Sequence, residues 1–367
     1  MSTEGRITKL RQIMGRLSLD AFLISQPESR RYLSGFTGQD NPPMDSAGYL
    51  LITQSRALLF TDGRTIEQAA QETTGYEAVL IENRFHDTLA QLLPEMHLPR
   101  IAFEGNHLTY RVYEEVAGVL DPNSILVPSY DVVDTLRAVK DERELEAIEE
   151  AVILADSAFA HILGMIEPGL TEREVAWEIE SYLRKHGSEG VAFDTIVASG
   201  PNASKPHHQP SDRAIQANEP VIMDWGARVR GYCSDITRTI VLGKADDQFK
   251  KLYSIVLEAQ TRVEKRVRSG MTGIKADSFA RKVIEEAGYG EFFVHSTGHG
   301  VGLEIHELPR LRRTAENVLE DGMVFSVEPG IYLPGWGGIR IEDLVTLQDG
   351  RPVVLTRSPK QMQSVEV

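Results

Sequence analysis

At 367 residues the chain is long for one domain and suits two. Its 41% hydrophobic and 25% charged residues are ordinary for a globular protein, and a net charge of −15 argues against nucleic acid or an anionic membrane as partner. The lone Cys233 excludes an intrachain disulfide. With no signal-peptide core in Met1–Leu10 and no apolar run near the roughly 20 residues of a membrane span, a soluble cytoplasmic protein is expected.

The first domain, expected over residues 1–135, alternates helix and strand patterns. Ile7, Leu10, Met14 and Leu17 recur at helical spacing. Ala21–Ser25 reads as a buried strand. Tyr49–Thr53 and Ala57–Phe60 read as paired strands, turning through Gln54, Ser55 and Arg56. Further strands are expected at Ala78–Ile81, Arg100–Phe103 and Ile125–Val127, with helices at His86–Leu93 and Tyr110–Leu120. The pattern is α/β with mixed strand pairing. It carries no dense set of metal-binding side chains and reads as a supporting or oligomerising domain.

The second domain, expected over residues 136–367, opens on a charged helix, Asp141–Ile166, with an apolar stripe through Leu145, Ile148, Val152 and Ala155. Gly-Leu-Thr-Glu (Gly169–Glu172), a second helix and Gly187 follow. The plan then repeats: a helix over Asp246–Val267, Gly-Met-Thr-Gly (Gly270–Gly273), another helix and Gly288. Glycine at one helix end and threonine at the next N-cap give each turn its physical reason. Carboxylates obey the same repeat. Asp224 and Asp235 follow Gly187 by 37 and 48 residues; Glu328 and Glu342 follow Gly288 by 40 and 54. Each unit is therefore expected to be two helices and an antiparallel pair with one acid per strand. A pseudo-twofold axis would bring both acid pairs to one centre.

Asp224, Asp235, Glu328 and Glu342 with His299 make a donor set of four carboxylates and one imidazole. Such a set suits two divalent ions, Mn²⁺ foremost, with Co²⁺ or Zn²⁺ as alternatives. Two ions about 3.5–4 Å apart share and activate a water. Asp224 sits in the apolar run Pro220–Trp225, where an unpartnered carboxylate would be costly. Glu328 precedes Pro-Gly, a turn signal that presents the acid. His299 lies between Gly298 and Gly300, whose small size permits close backbone approach. A backbone carbonyl or carboxylate is expected to orient its second nitrogen. Cys233 reads as a small packed hydrophobe.

Together the motifs GHGVGLEIHE, EPG and RIED resemble those of the pita-bread metallopeptidases, among them prolidase, aminopeptidase P and methionine aminopeptidase. The resemblance covers essentially the whole chain, because the first half resembles the creatinase/prolidase-type N-terminal domain. It implies an α/β (α+β) chain: a creatinase-like domain, then a pita-bread catalytic domain with the pseudo-twofold repeat. It implies Asp224 on one ion, Glu328 on the other, Asp235 and Glu342 bridging, and His299 as a further ligand. It further implies a metal-bridging hydroxide that cleaves the bond between an N-terminal residue and proline in short peptides. His207 and His306 would stabilise the tetrahedral intermediate, and Glu328 would shuttle the proton. The neighbouring His208 competes with His207 for that role. His295 is expected to support the site rather than ligate. Arg340 would support the site electrostatically, and Arg310 matches a position that clamps a dipeptide carboxylate. Trp336, in the glycine-rich Gly335–Gly338, is expected either to wall a proline ring or to pack a hairpin. Relatives often pair, which implies a homodimer. Rival readings are a methionyl or broad-specificity aminopeptidase, a non-enzymatic peptide-binding relative, and creatinase-type amidinohydrolysis, which dispenses with the metal carboxylates.

Overall fold

The computed structural model describes residues 2–40 and 46–365. It divides into two compact units, Met1–Arg137 and Ala138–Val367.

In chain order the first unit contains α1 (Thr3–Arg16), β1 (Ala21–Ile24), α2 (Pro27–Ser34), β2 (Tyr49–Thr53), β3 (Ala57–Thr61), α3 (Ile66–Glu72), β4 (Glu77–Leu80), α4 (Phe85–Leu92), β5 (Arg100–Glu104), α5 (Tyr110–Ala117), β6 (Ile125–Ser129) and α6 (Val132–Ala138). Six of the described strands form one sheet, ordered β4-β3-β2-β1-β5-β6. β2 runs antiparallel to both its neighbours, whereas β1–β5, β5–β6 and β3–β4 are parallel. This is the mixed pairing that the strand pattern predicts. β1, buried at every position, is sandwiched between β2 and β5. Two expectations need correction. Leu17 is 49% exposed, because α1 ends at Arg16 and the chain leaves the helical path. The helix from Tyr110 stops at Ala117, where Gly118 caps it.

The second unit contains α7 (Glu142–Leu163), α8 (Glu172–Lys185), β7 (Ile196–Ser199), β8 (Pro220–Trp225), β9 (Arg228–Val229), β10 (Tyr232–Cys233) and β11 (Ile236–Leu242). There follow α9 (Asp247–Arg266), α10 (Gly273–Glu286), β12 (Gly298–Gly300), β13 (Glu307–Leu311), β14 (Val324–Val327), β15 (Gly330–Leu333), β16 (Gly337–Arg340), β17 (Asp343–Gln348), β18 (Arg351–Val354) and β19 (Gln363–Val365). The described strands give one sheet ordered β19-β11-β8-β7 and another ordered β13-β12-β14-β17-β18. α7 and α8 pack a core with the first sheet through Phe159, Ile179, Met223 and Trp225. α9 and α10 pack another with the second through Phe249, Ile284, Phe325 and Ile341.

The repeat is visible in detail. Thr171 caps α8 by accepting from the Glu174 N–H, and Thr272 caps α10 by accepting from the Lys275 N–H. Gly169, Gly187, Gly270 and Gly288 all have φ between +85° and +104°. Each half then supplies an antiparallel pair, β8–β11 or β14–β17, whose strands are linked through a small hairpin, β9–β10 or β15–β16.

Beside this sheet lies a buried charge network that fixes β17. Asp343 receives Arg238 Nη2 at 2.6 Å and Lys360 Nζ at 2.6 Å, while Lys360 also reaches Glu264 at 2.7 Å. Asp343 and Glu264 are almost wholly buried. Removing one partner of a buried pair leaves the other charge uncompensated. Lys360→Met is therefore expected to destabilise the fold by about 3 kcal/mol, read from denaturant unfolding. A change below about 0.5 kcal/mol, the range of an ordinary surface substitution, would show that the network adds nothing.

Candidate metal centre

The acid pairs converge at the ends of the two strand pairs. Asp224 is within β8, but Asp235 lies one residue before β11, Glu328 one after β14 and Glu342 one before β17. The expectation of one acid on each strand is thus corrected: three of the four stand at strand ends, where the ladder stops and side chains meet from several directions. Extending the Val327↔Asp343 register by one step sets Glu328 opposite Glu342.

Carboxylate oxygens of Asp224, Asp235 and Glu342 lie within 4.8 Å of one another, and all three residues are buried. Glu328 and His299 adjoin them. His299 Nε2 is 3.2 Å from Glu328 Oε1 and 3.6 Å from Asp235 Oδ2. Its Nδ1 is 3.1 Å from the Gly300 carbonyl, the backbone orientation expected for this ring. All five residues therefore meet at one centre.

Electrostatics show why such a cluster calls for cations. Burial raises Asp224, against the pull of Arg340. Burial, followed by Glu342, Asp224 and Glu328, pushes Asp235 well above the carboxylate range. Burial, then Glu328 and Asp224, does the same to Glu342. For Glu328 burial acts upward too, but the His299 hydrogen bond and charge outweigh it and hold the carboxyl at about 2. Asp224 Oδ1 is buried with no hydrogen-bond partner, while Oδ2 takes Arg340 Nη2 at 2.5 Å. An orphaned carboxylate oxygen aimed into a cluster of like charges fits a divalent ion, and hard oxygen donors with one imidazole suit Mn²⁺, Co²⁺ or Zn²⁺.

Arg340 is the cation that the protein itself supplies. It is 3% exposed and also bonds Thr237 Oγ1 (3.0 Å), Tyr332 Oη (2.9 Å) and the Pro206 carbonyl (3.2 Å). His295 does not reach the cluster; its Nε2 lies 2.8 Å from Tyr332 Oη, so it buttresses Arg340 through the phenol. Burial lowers the His295 ring to about 4, keeping it neutral. Thr237 donates to Glu342 at 2.7 Å, and Ser326 donates to Glu328 at 3.0 Å while accepting the His299 N–H. Thr237, Ser326 and Tyr332 escape the sequence reading. Thr237 and Ser326 each stand two residues from an acid, on one face of an extended segment, which is the signal that could have found them. Tyr332 has no such signal.

The centre opens into a cavity of about 770 Å³. His207, His306 and Arg310 line it. His208 Nε2 is held 2.8 Å from the buried Glu172 carboxylate, leaving His207 as the more available ring. His306 packs edge-on against His299, with centroids 4.3 Å apart. Partial desolvation in the cleft, then His299, lowers its pKa to about 4. Arg310 sits directly across from His299 in the β12–β13 ladder. Trp336 is not in the cavity lining; it packs against the second-half core, which settles it as a hairpin residue. Asp235 makes no pair with Arg238, whose guanidinium serves Asp343. Cys233 is buried with Sγ 3.8 Å from the Leu303 carbonyl and takes no place among the clustered ligand atoms.

The glycines flanking His299 are sterically required. A Cβ on Gly298 would stand 1.9 Å from the Ser326 carbonyl oxygen, and one on Gly300 2.1 Å from that of Leu308. Both obstacles are backbone, so the strand must shift. Gly298→Ala is expected to cost roughly 2–3 kcal/mol of stability and to weaken metal binding by displacing His299 and Ser326. Melting curves and metal titrations check this; a variant with wild-type values in both would contradict the packing.

Comparison with known proteins places this geometry. The model of metallopeptidase family M24 matches residues 146–349, and that of the creatinase/prolidase N-terminal domain matches residues 6–139. The chain is 38% identical to a Xaa-Pro dipeptidase of Pyrococcus furiosus, across 97% of this chain and 99% of the relative. The structure of a Xaa-Pro dipeptidase from Bacillus anthracis superposes with a TM-score of 0.94 at 42% identity, covering 99% of this chain and all of that one. That of an X-Pro aminopeptidase from Thermotoga maritima superposes at 0.86 with 39% identity, covering 96% and 100%. No helix among the described residues is long and apolar enough to cross a membrane. With the peptidase model spanning more than half its length and relatives matched almost end to end, this chain belongs to metallopeptidase family M24, a family of enzymes that implies divalent metal ions.

Proposed function

We propose that this protein hydrolyses the bond between an N-terminal residue and proline in short peptides, using two divalent ions held by Asp224, Asp235, His299, Glu328 and Glu342. The observation that carries the proposal is the group of three buried carboxylates with Asp224 Oδ1 unpartnered, joined to the His299–Glu328 pair. The proline preference is supported by the Xaa-Pro activities named for the similar proteins. Bound there, the ions would activate water and polarise the scissile carbonyl.

The chain's own groups do the rest. Glu328, beside His299 in the cluster, accepts the proton of the attacking water. It returns that proton to the nitrogen as the C–N bond breaks. His306 and His207, on the cavity wall, donate to the developing oxyanion. Arg340 fixes the Asp224 carboxylate, and Arg310 takes the terminal carboxylate of a dipeptide by a bidentate contact. Mn²⁺ as the resident ion, a cytoplasmic setting and pairing into a homodimer complete the proposal, on donor chemistry, the single cysteine and family resemblance respectively. Metal analysis of protein purified from its host, cell fractionation and sedimentation test these three.

The test of the activity compares Ala-Pro with Ala-Pro-Ala, using metal-stripped and Mn²⁺-reconstituted protein. Metal-dependent cleavage of the dipeptide alone supports a dipeptidase. Cleavage of the tripeptide supports aminopeptidase P action. Cleavage of Met-Ala with neither proline peptide attacked would refute the proline assignment.

A further inference from the structure

Four arginines line the cavity: Arg173, Arg310, Arg312 and Arg340. Two are already committed. Arg173 pairs with Asp212 at 2.6 Å, and Arg340 with Asp224 at 2.5 Å. The guanidinium groups of Arg310 and Arg312 have no hydrogen bond or ion pair to any described residue. Two uncommitted cations thus share one cavity wall in a chain of net charge −15.

Their placement is regular. Arg310 is directly opposite His299 in the β12–β13 ladder, and Gly298 is opposite Leu311. The Thr297 N–H donates to the Leu311 carbonyl at 2.9 Å, and Arg312, the first residue past β13, opens a turn in which its carbonyl accepts from the Ala315 N–H at 3.1 Å. Both side chains line the cavity, and positions two residues apart are separated by at most roughly 7 Å along the chain. Arg310 thus stands beside the metal centre, and Arg312 one step further along the same wall. An extended peptide advances about 3.3–3.6 Å per residue. The step between the two arginines therefore spans up to about two residues of bound substrate.

We propose that Arg312 is a second carboxylate anchor, which binds the C-terminal carboxylate of peptides extending up to two residues beyond the proline. The inference rests on the proposed Xaa-Pro hydrolysis and deepens it: the cleft takes the terminal carboxylate at two distances. Arg310 serves the dipeptide, and Arg312 serves peptides such as Xaa-Pro-Xaa-Xaa. A cavity of about 770 Å³ leaves room for both. Free arginine side chains are suited to this work, since the planar guanidinium engages a carboxylate through two parallel hydrogen bonds.

The test measures kcat/KM for Ala-Pro-Ala-Ala as the free acid and as its C-terminal amide, in the Mn²⁺-loaded wild type and in Arg312→Gln. Wild type is expected to prefer the acid by about tenfold or more, largely through KM, and Arg312→Gln to abolish that preference. The amide is the internal control for folding and chemistry, because it has no carboxylate to lose. An acid-to-amide ratio unchanged by the substitution overturns the role of Arg312 while leaving Xaa-Pro hydrolysis standing. Equal use of acid and amide by wild type overturns it as well. A wild type that cleaves Met-Ala but no proline peptide overturns both readings, and is told apart by that activity.

Discussion

Glu342→Ala is expected to lose bound metal and activity together, each by more than ~10²-fold, because even partners one step removed from a metal cost about 10–100-fold when mutated. Glu342 lies within 4.8 Å of both Asp224 and Asp235 and is held by Thr237, so its oxygens are aimed at the cluster centre. The loss should not be one of folding. In the metal-free protein Glu342 is a buried carboxyl crowded by Glu328 and Asp224; deleting it relieves like-charge repulsion. Metal-free wild type and variant should therefore melt at similar temperatures, while added Mn²⁺ raises the melting point of wild type alone. Asp235→Ala should behave alike. Metal analysis after dialysis, melting curves with and without ion, and turnover on Ala-Pro read the three quantities. Full metal content and full activity in Glu342→Ala would remove the central claim.

His306→Ala is expected to separate what Glu342→Ala joins. His306 lines the cavity and packs edge-on against His299, yet contributes no atom to the carboxylate cluster. Its lowered pKa of about 4 leaves the ring neutral at pH 7, with one N–H to donate. Removing one preorganised donor to a developing oxyanion costs roughly 10²–10³ in kcat. Metal content should remain at the wild-type level, and KM should change far less than kcat. Loss of the ion in this variant would make His306 a ligand, and unchanged kcat would remove it from the chemistry.

Much of the site was legible because its chemistry is expensive to hide. Asp224 in an all-apolar strand and His299 between two glycines each break a local pattern, and such breaks mark positions under another constraint. The repeat was legible for a similar reason: two Gly-x-Thr turns with caps at Thr171 and Thr272 leave a periodic trace. What the sequence conceals is long-range. That Arg340 serves Asp224, over a hundred positions away, depends on tertiary packing that no spacing encodes. Tyr332 and His295 join the site only through the folding of the β15–β16 hairpin. That Glu172, carried in by a helix from elsewhere, holds His208 is likewise a matter of tertiary packing. Element ends were least legible. α1 stops before Leu17, and three acids fall just outside strands, because termini are set by local hydrogen bonds rather than by periodicity.

The most direct measurement is calorimetric titration of metal-stripped protein with Mn²⁺, followed by turnover on Ala-Pro at each step of loading. The account predicts binding of two ions per chain, with activity absent before the first and complete after the second. Full activity in protein shown to be free of metal would contradict it.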